Sequence, residues 1–267
     1  MTPMNPRISA TAMVYGLDIQ ENLLRLRKYV SHTEILLYWT PNEHNFPDKA
    51  RALAIKTLAD ELGLRLSVHL PPMLDLVTGE AATCRRHLDI LLQLLETLAI
   101  WQPTAYVLHV GPNPPVICSN TTDYIHFASR RNLTAWHART CDVLAEIQAA
   151  YGLGPRLLVE NLDFSPLLLK PFAERGLAAI CLDAGHVWLG NEDLKTAFAA
   201  CAPHIKEMHL HGVHNGREHL SLTATTAERL KILQELLQSA EFTGMLNLEV
   251  FTEADFKTSL NWLYEFV

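Results

Sequence analysis

The chain has 267 residues, 49% of them hydrophobic, and a formal net charge of -7. That length and apolar content suit one large α/β domain spanning 1–267, near the size of an eight-stranded barrel. The negative balance argues against a protein whose main work is gripping long nucleic acid, and no run of eighteen apolar residues is present to span a membrane.

Prolines interrupt the opening segment where a signal peptide would need an apolar run, so a cytoplasmic location is expected. Five cysteines, Cys84, Cys118, Cys141, Cys181 and Cys201, are scattered and odd in number, which fits reduced core thiols better than a disulfide framework.

Short β-rich runs alternate with longer amphipathic ones, the pattern of repeated βα units feeding a parallel sheet. Eight strands are expected, at 11–16, 34–39, 65–70, 105–110, 156–161, 179–183, 205–211 and 245–251. Helices are predicted at 48–62, stopped by Gly63, at 83–100, stopped before Pro103, and at 132–151. Further helices are predicted at 165–175, with Ser165 as cap and Pro166 in the first turn, and at 192–202, 226–238 and 254–266. One closed (β/α)8 TIM barrel accounts for this alternation. The competing doubly wound open sheet lacks its Gly-x-Gly-x-x-Gly fingerprint.

Such barrels build their sites at the C-terminal ends of the strands. Six consecutive strand ends here carry side chains able to bind a metal: His69, His109, Glu160, Asp183, His209 and Glu249. Mixed imidazole and carboxylate donors suit zinc, manganese or iron(II). Four would hold one ion, and six could hold two with Glu160 bridging. His69 by itself reads most simply as a hydrogen-bonded rim residue. Glu160, Asp183 and Glu249 do not, because an ionised carboxylate among Leu, Val and Phe costs several kcal/mol unless paired or metal-bound. Few arginines stand at strand ends to pair with them. His87, His126 and His137 fall in helical stretches, and His32 and His204 at the opposite end, so no chemistry is assigned to them. His44, His211, His214 and His219 are rim-side and left open, with His219 the best placed.

These residues resemble the xylose isomerase-like, endonuclease-IV-type superfamily of TIM barrels, over most of the chain. Glu160, Asp183, His209 and Glu249 match its shared metal set. His69 and His109 are similar to the additional pair of its zinc phosphodiesterase branch, whereas most sugar isomerases of the group lack the second. Asp183-Ala-Gly-His186 also matches that branch, whose third metal site adds an Asp-x-His pair after strand seven. Here Arg217-Glu218-His219 keeps the His and replaces the Asp with Arg217, which argues against a third ion. The stretches 34–47, 158–166 and 218–222 look similar to a narrower group, the cobamide-remodelling phosphodiesterases. Tyr38, Trp39, Phe46, Pro112, Pro114 and Pro115 would then form an apolar rim for a large flat ligand.

The resemblance implies hydrolysis of a small-molecule phosphodiester, with the nucleotide loop of a cobamide as the expected substrate. One or two divalent ions, Zn2+ before Mn2+ or Fe2+, would activate water for in-line attack, while Arg217, His186 or His219 contacts phosphate or donates a proton. The alternative is a metal-dependent sugar isomerase or epimerase, with one ion on Glu160, Asp183, His209 and Glu249 and a proton shuttled by Glu160 and Glu249. A third reading is a non-catalytic module that binds a corrinoid or a nucleotide.

Overall fold

Alternation with a period of two gives each short strand one face toward a covering helix and one toward the barrel axis. A computed structural model, which describes residues 7–111, 130–162, 164–239 and 242–266, carries this through to closure. Around the barrel run β1 (Ile8–Thr11), β10 (Met245–Leu248), β7 (Ile205–Leu210), β6 (Ala179–Asp183), β5 (Leu157–Glu160), β4 (Tyr106–His109), β3 (Arg65–His69) and β2 (His32–Leu36). All pair in parallel, and β2 returns to β1, so the sheet has no free edge. This is the expected (β/α)8 TIM barrel. An antiparallel hairpin, β8 (Gly212–His214) and β9 (Arg217–Leu220), is inserted after β7.

Outside lie α1 (Ile19–Leu26), α2 (Lys49–Leu62), α3 (Ala81–Leu98), α4 (Arg130–Tyr151), α5 (Lys170–Glu174), α6 (Ala184–Leu189), α7 (Leu194–Cys201), α8 (Ala227–Gln238) and α9 (Glu253–Tyr264). Six of them start on an Asp or Thr whose side chain accepts a first-turn N–H; Asp48, for example, takes that of Arg51 at 2.7 Å. In α3 the buried residues are Leu88, Leu91, Leu94, Leu95 and Leu98, one stripe at helical spacing that faces the barrel.

Several bounds differ from the sequence expectation. The first strand lies earlier, at Ile8–Thr11, because this Ile-Ser-Ala-Thr segment is the one in register with β10 and β2, while 12–16 turns toward α1. The run 165–175 is not one helix. Ser165 donates its hydroxyl to Glu192 at 3.0 Å instead of capping, Pro166–Leu168 form a 3-10 turn, and α5 starts afresh so that Pro171 stands where no N–H is required. The short helices α1 and α6, of eight and six residues, have no counterpart among the predicted helices.

Most of the apolar core fills the layer between sheet and helices, and a separate small cluster of Ala105, Val107, Leu158, Ala179 and Cys181 sits inside the barrel. The remaining interior is polar, with Ser9, Thr11, Glu34, Ser67, Glu207 and Asn247 all buried. Cys84, Cys141, Cys181 and Cys201 are free thiols, and Cys118 lies outside the described residues. Among the described residues no helix is long and apolar enough to cross a membrane.

Candidate metal centre

Parallel pairing in register puts equivalent side chains of neighbouring strands side by side. His109 stands opposite Glu160, and Asp183 opposite His209, each at the last or nearly the last residue of its strand. Glu249 follows β10 directly and donates its backbone N–H to Leu210. All six expected ligands therefore reach one rim, and Glu160, Asp183 and His209 are fully buried.

The centre is His209 Nδ1. Three carboxylates face this one nitrogen: Glu160 Oε1 at 3.0 Å, Glu249 Oε2 at 3.1 Å and Asp183 Oδ2 at 4.0 Å. A ring nitrogen carries at most one proton and cannot satisfy three acceptors. Asp183 Oδ2 and Glu249 Oε2 are accordingly buried without a hydrogen-bond donor among the described residues. Buried, convergent and unpaired carboxylate oxygens are what a bound cation compensates. Glu160, Asp183, His209 and Glu249 each offer a donor atom within 4.8 Å of the others, so the residues fit a divalent ion.

The oxygens of Asp183 are differentiated by their neighbours. Oδ1 accepts the backbone N–H of His186 at 2.7 Å and faces His211 Nε2 at 3.2 Å, which leaves Oδ2 for the centre. His211 Nδ1 accepts the backbone N–H of His219 at 3.0 Å, so its proton is on Nε2, pointing at Asp183. The ring packs so tightly on α6 that a Cβ at position 185 would lie 2.0 Å from His211 Cε1, and only Gly185 fits. Asn161 completes the support, exchanging two hydrogen bonds with the Asp183 backbone at 2.8 and 3.0 Å.

Glu160 Oε2 is held separately, by His69 Nε2 at 3.2 Å and His109 Nε2 at 3.0 Å. His69 Nδ1 donates to the Leu70 carbonyl at 2.9 Å, so a hydrogen bond from Nε2 as well requires the imidazolium. Burial would lower the pKa of His69, but Glu160, Glu34 and Glu249 outweigh it and raise the value to about 9. The same contest raises His186 to about 10, through Asp183 and Glu218, and His209 well above its usual range. Glu160 and Glu249 are held below the usual carboxylate range, since His209 overcomes their desolvation. His109 is lowered, because burial prevails over its bond to Glu160.

A cavity of about 690 Å³ opens above these groups. Tyr38 lines it, as do His186, Glu218 and His219, whereas Trp39 and Phe46 pack against the core instead. Arg217 does not line it; it is exposed at the start of β9, and among the described residues no Arg or Lys reaches the cavity wall. His44 and His214 are also exposed, and the ring of His44 lies on Phe46. His87 packs on Trp39 and His137 stacks on Phe172. Pro112, Pro114, Pro115 and His126 lie outside the described residues.

Three supporting residues escaped the sequence reading. Glu34 lies fully buried with Oε2 3.4 Å from His209 Nε2, and its other oxygen accepts the Asn247 amide at 2.7 Å. The signal that marked Glu160, a carboxylate in an apolar strand, was equally present in Glu34-Ile-Leu-Leu. Asn161 was noted only as a neighbour, and Glu218, 3.5 Å from His186, lies on the unforeseen hairpin. That hairpin had a signal too: Asn215-Gly216 adopts positive φ at both residues, the requirement of a tight two-residue turn.

The xylose isomerase-like TIM barrel family matches residues 33–266, and the chain belongs to it. Among solved structures it is similar to D-psicose 3-epimerase from Clostridium cellulolyticum H10, with 12% identity over 97% of each chain and a TM-score of 0.73. It is also similar to a D-tagatose 3-epimerase-like protein, at 15% identity over 97% of this chain and 96% of that one, TM-score 0.72. A third is a 3-keto-D-glucoside 4-epimerase from E. coli, at 14% identity over 98% and 99% of the chains, TM-score 0.68. Likeness at these identities establishes the fold. No curated protein matches the sequence.

The named activities of these structures are sugar epimerisations, and that overturns the expectation of a phosphodiesterase with a cobamide substrate. The site gives a physical reason for the correction. Its described wall carries Glu43, Glu160, Glu218 and Glu249 but no guanidinium or ammonium group to receive a phosphate, and Arg217, the residue expected to do so, is turned away.

Proposed function

We propose that the protein is a metal-dependent sugar epimerase or isomerase acting on a small keto-sugar. The observation that carries this reading is the pair Glu160 and Glu249, brought by the ends of β5 and β10 to one nitrogen, His209 Nδ1, at 3.0 and 3.1 Å beneath an open cavity. The likeness to sugar epimerase structures supports it. A divalent ion held by Glu160, Asp183, His209 and Glu249 would polarise the carbonyl oxygen and the neighbouring hydroxyl of the sugar.

One carboxylate then takes the proton from the carbon beside the carbonyl, and the other returns a proton to the opposite face of that carbon. His186 is fixed from both sides of its ring, Nδ1–H donating to the Asn161 carbonyl at 2.9 Å and Nε2 facing Glu218 Oε2. Glu218 at 3.5 Å sets the orientation of that ring. His69 and His109 hold Glu160 Oε2 in place, and His211 holds Asp183. Arg217 has no role in this reading.

The test is proton exchange. Protein loaded in turn with Mn2+, Co2+ and Zn2+ is incubated in D2O with a panel of ketoses, and deuterium is sought beside the carbonyl together with the epimeric product. The reading expects both from at least one ketose, and about one bound ion per chain by elemental analysis. Absence of exchange across metals and ketoses would refute it. Two ions per chain would move His69 and His109 from supports of Glu160 to metal ligands.

A further inference from the structure

We infer that the substrate is not a bare sugar but a keto-sugar carrying an apolar substituent at the end remote from its carbonyl. The inference rests on the epimerase reading and concerns the walls of the cavity rather than its floor. The floor is polar, built from Glu160, His186, His219 and Glu249. Above it the collar is apolar: Leu17, Leu36, Met73, Leu162, Leu189 and Phe251 come from six separate connections and strand ends around the barrel.

Three of these side chains are unusually exposed, Leu17 at 60%, Met73 at 47% and Phe251 at 37%. Only six large hydrophobic residues are exposed to this degree among the described residues, so half of them surround one opening. Single exposed apolar residues are ordinary on a protein surface, but their concentration at the mouth of a site marks a binding surface.

A bare ketose has a hydroxyl on nearly every carbon and needs a hydrogen-bond partner for each one taken from water. Among the described residues the six apolar side chains of the collar supply none, and the two carboxylates beside them are engaged, Glu43 by Tyr38 and Glu218 by His186. Its one described phenol, Tyr38, already donates to Glu43 at 3.0 Å. A volume near 690 Å³ also lies within the range of roughly 300–1,000 Å³ that encloses drug-sized ligands, well beyond what a free six-carbon sugar fills. A polar floor below an apolar collar matches a molecule with the same division.

The probes are D-fructose, its methyl ether and its benzyl ether, both ethers at the terminal hydroxyl farthest from the carbonyl. Metal-loaded protein is assayed for deuterium exchange with each, and binding of the two ethers is followed by calorimetry at several temperatures. The benzyl ether should exceed the methyl ether by about tenfold or more in kcat/KM, mostly through KM, and bind with a more negative heat-capacity change. In the double variant Leu17→Glu, Met73→Glu, at two exposed positions whose substitution leaves the core untouched, that ratio should collapse to about parity.

Parity between the ethers in the unaltered protein would overturn the apolar-substituent inference while exchange itself upheld the epimerase reading. An undiminished preference in the double variant would overturn it too, by placing the substituent elsewhere. Failure of all three sugars to exchange, with other ketoses active, would again count only against the inference. Failure of every ketose would remove the epimerase reading and this inference with it.

Discussion

His32 begins β2 at one end of the barrel and His69 ends β3 at the other, and both are almost completely buried. Burial and the neighbouring Arg65 push His32 down to about 3, whereas the carboxylates around His69 raise it to about 9. Acids follow the same division. Burial beside Glu34 pushes Glu207 up to about 8, while Glu160, only slightly farther along the barrel axis, is held well below its usual range by His209. The N-terminal end keeps His32 and Glu207 neutral, and the C-terminal end keeps His69, Glu160 and Glu249 charged. Desolvation acts on all of them, so the difference comes from whether an opposite charge is within reach. A cluster of charges held together at the cost of desolvation is the signature of a working site, and its counterpart at the other end is structural packing.

The widest test of this contrast is Glu160→Gln. It removes the shared partner of His69, His109 and His209, and exchange is expected to fall by about 10²–10⁴-fold with loss of bound metal. Retention of full exchange and metal would end the distinction between the two rims. Next comes His211→Ala, which leaves every proposed ligand in place but frees Asp183 Oδ1. Metal affinity, read by competition with a chelator, should weaken by about 10–100-fold, and Gly185→Ala should act in the same direction by displacing the same ring.

At the other rim the prediction concerns pH. A histidine whose folded pKa lies below its unfolded value of about 6.5 contributes stability above that pH and loses it as the pH falls toward 3. From pH 6.5 to pH 5 this amounts to about 2 kcal/mol for His32. Denaturant unfolding of His32→Gln should lack that part of the acid-induced fall, and identical pH profiles would show that His32 is not held neutral. The smallest effect lies outside both rims. Asp48→Ala deletes the cap of α2 and should lower stability by about 1 kcal/mol in thermal unfolding, with metal binding unaltered.

The proposed ligand set was legible because strand ends in a parallel barrel are fixed by the hydrophobic pattern, and each carboxylate there breaks that pattern conspicuously. Glu160, Asp183 and Glu249 could be picked out for that reason, and His209 with them. The supporting residues were not legible in the same way. His211 and His214 are equivalent rim histidines in the sequence, yet one anchors Asp183 and the other is exposed. Arg217 and His219 are two positions apart on one strand of the hairpin, and only His219 lines the cavity.

The sequence by itself determined the barrel, its strand-to-helix alternation and the four-residue set at its rim. These depend on periodicity and on the cost of burying charge, both local properties of a chain. Only the tertiary structure decided which oxygen of Asp183 is free, which nitrogen of His211 carries its proton, and where Arg217 points. It also decided that the cavity has an apolar collar and, on its described wall, no guanidinium or ammonium group. Those features depend on distances between side chains far apart in sequence, which no local pattern records.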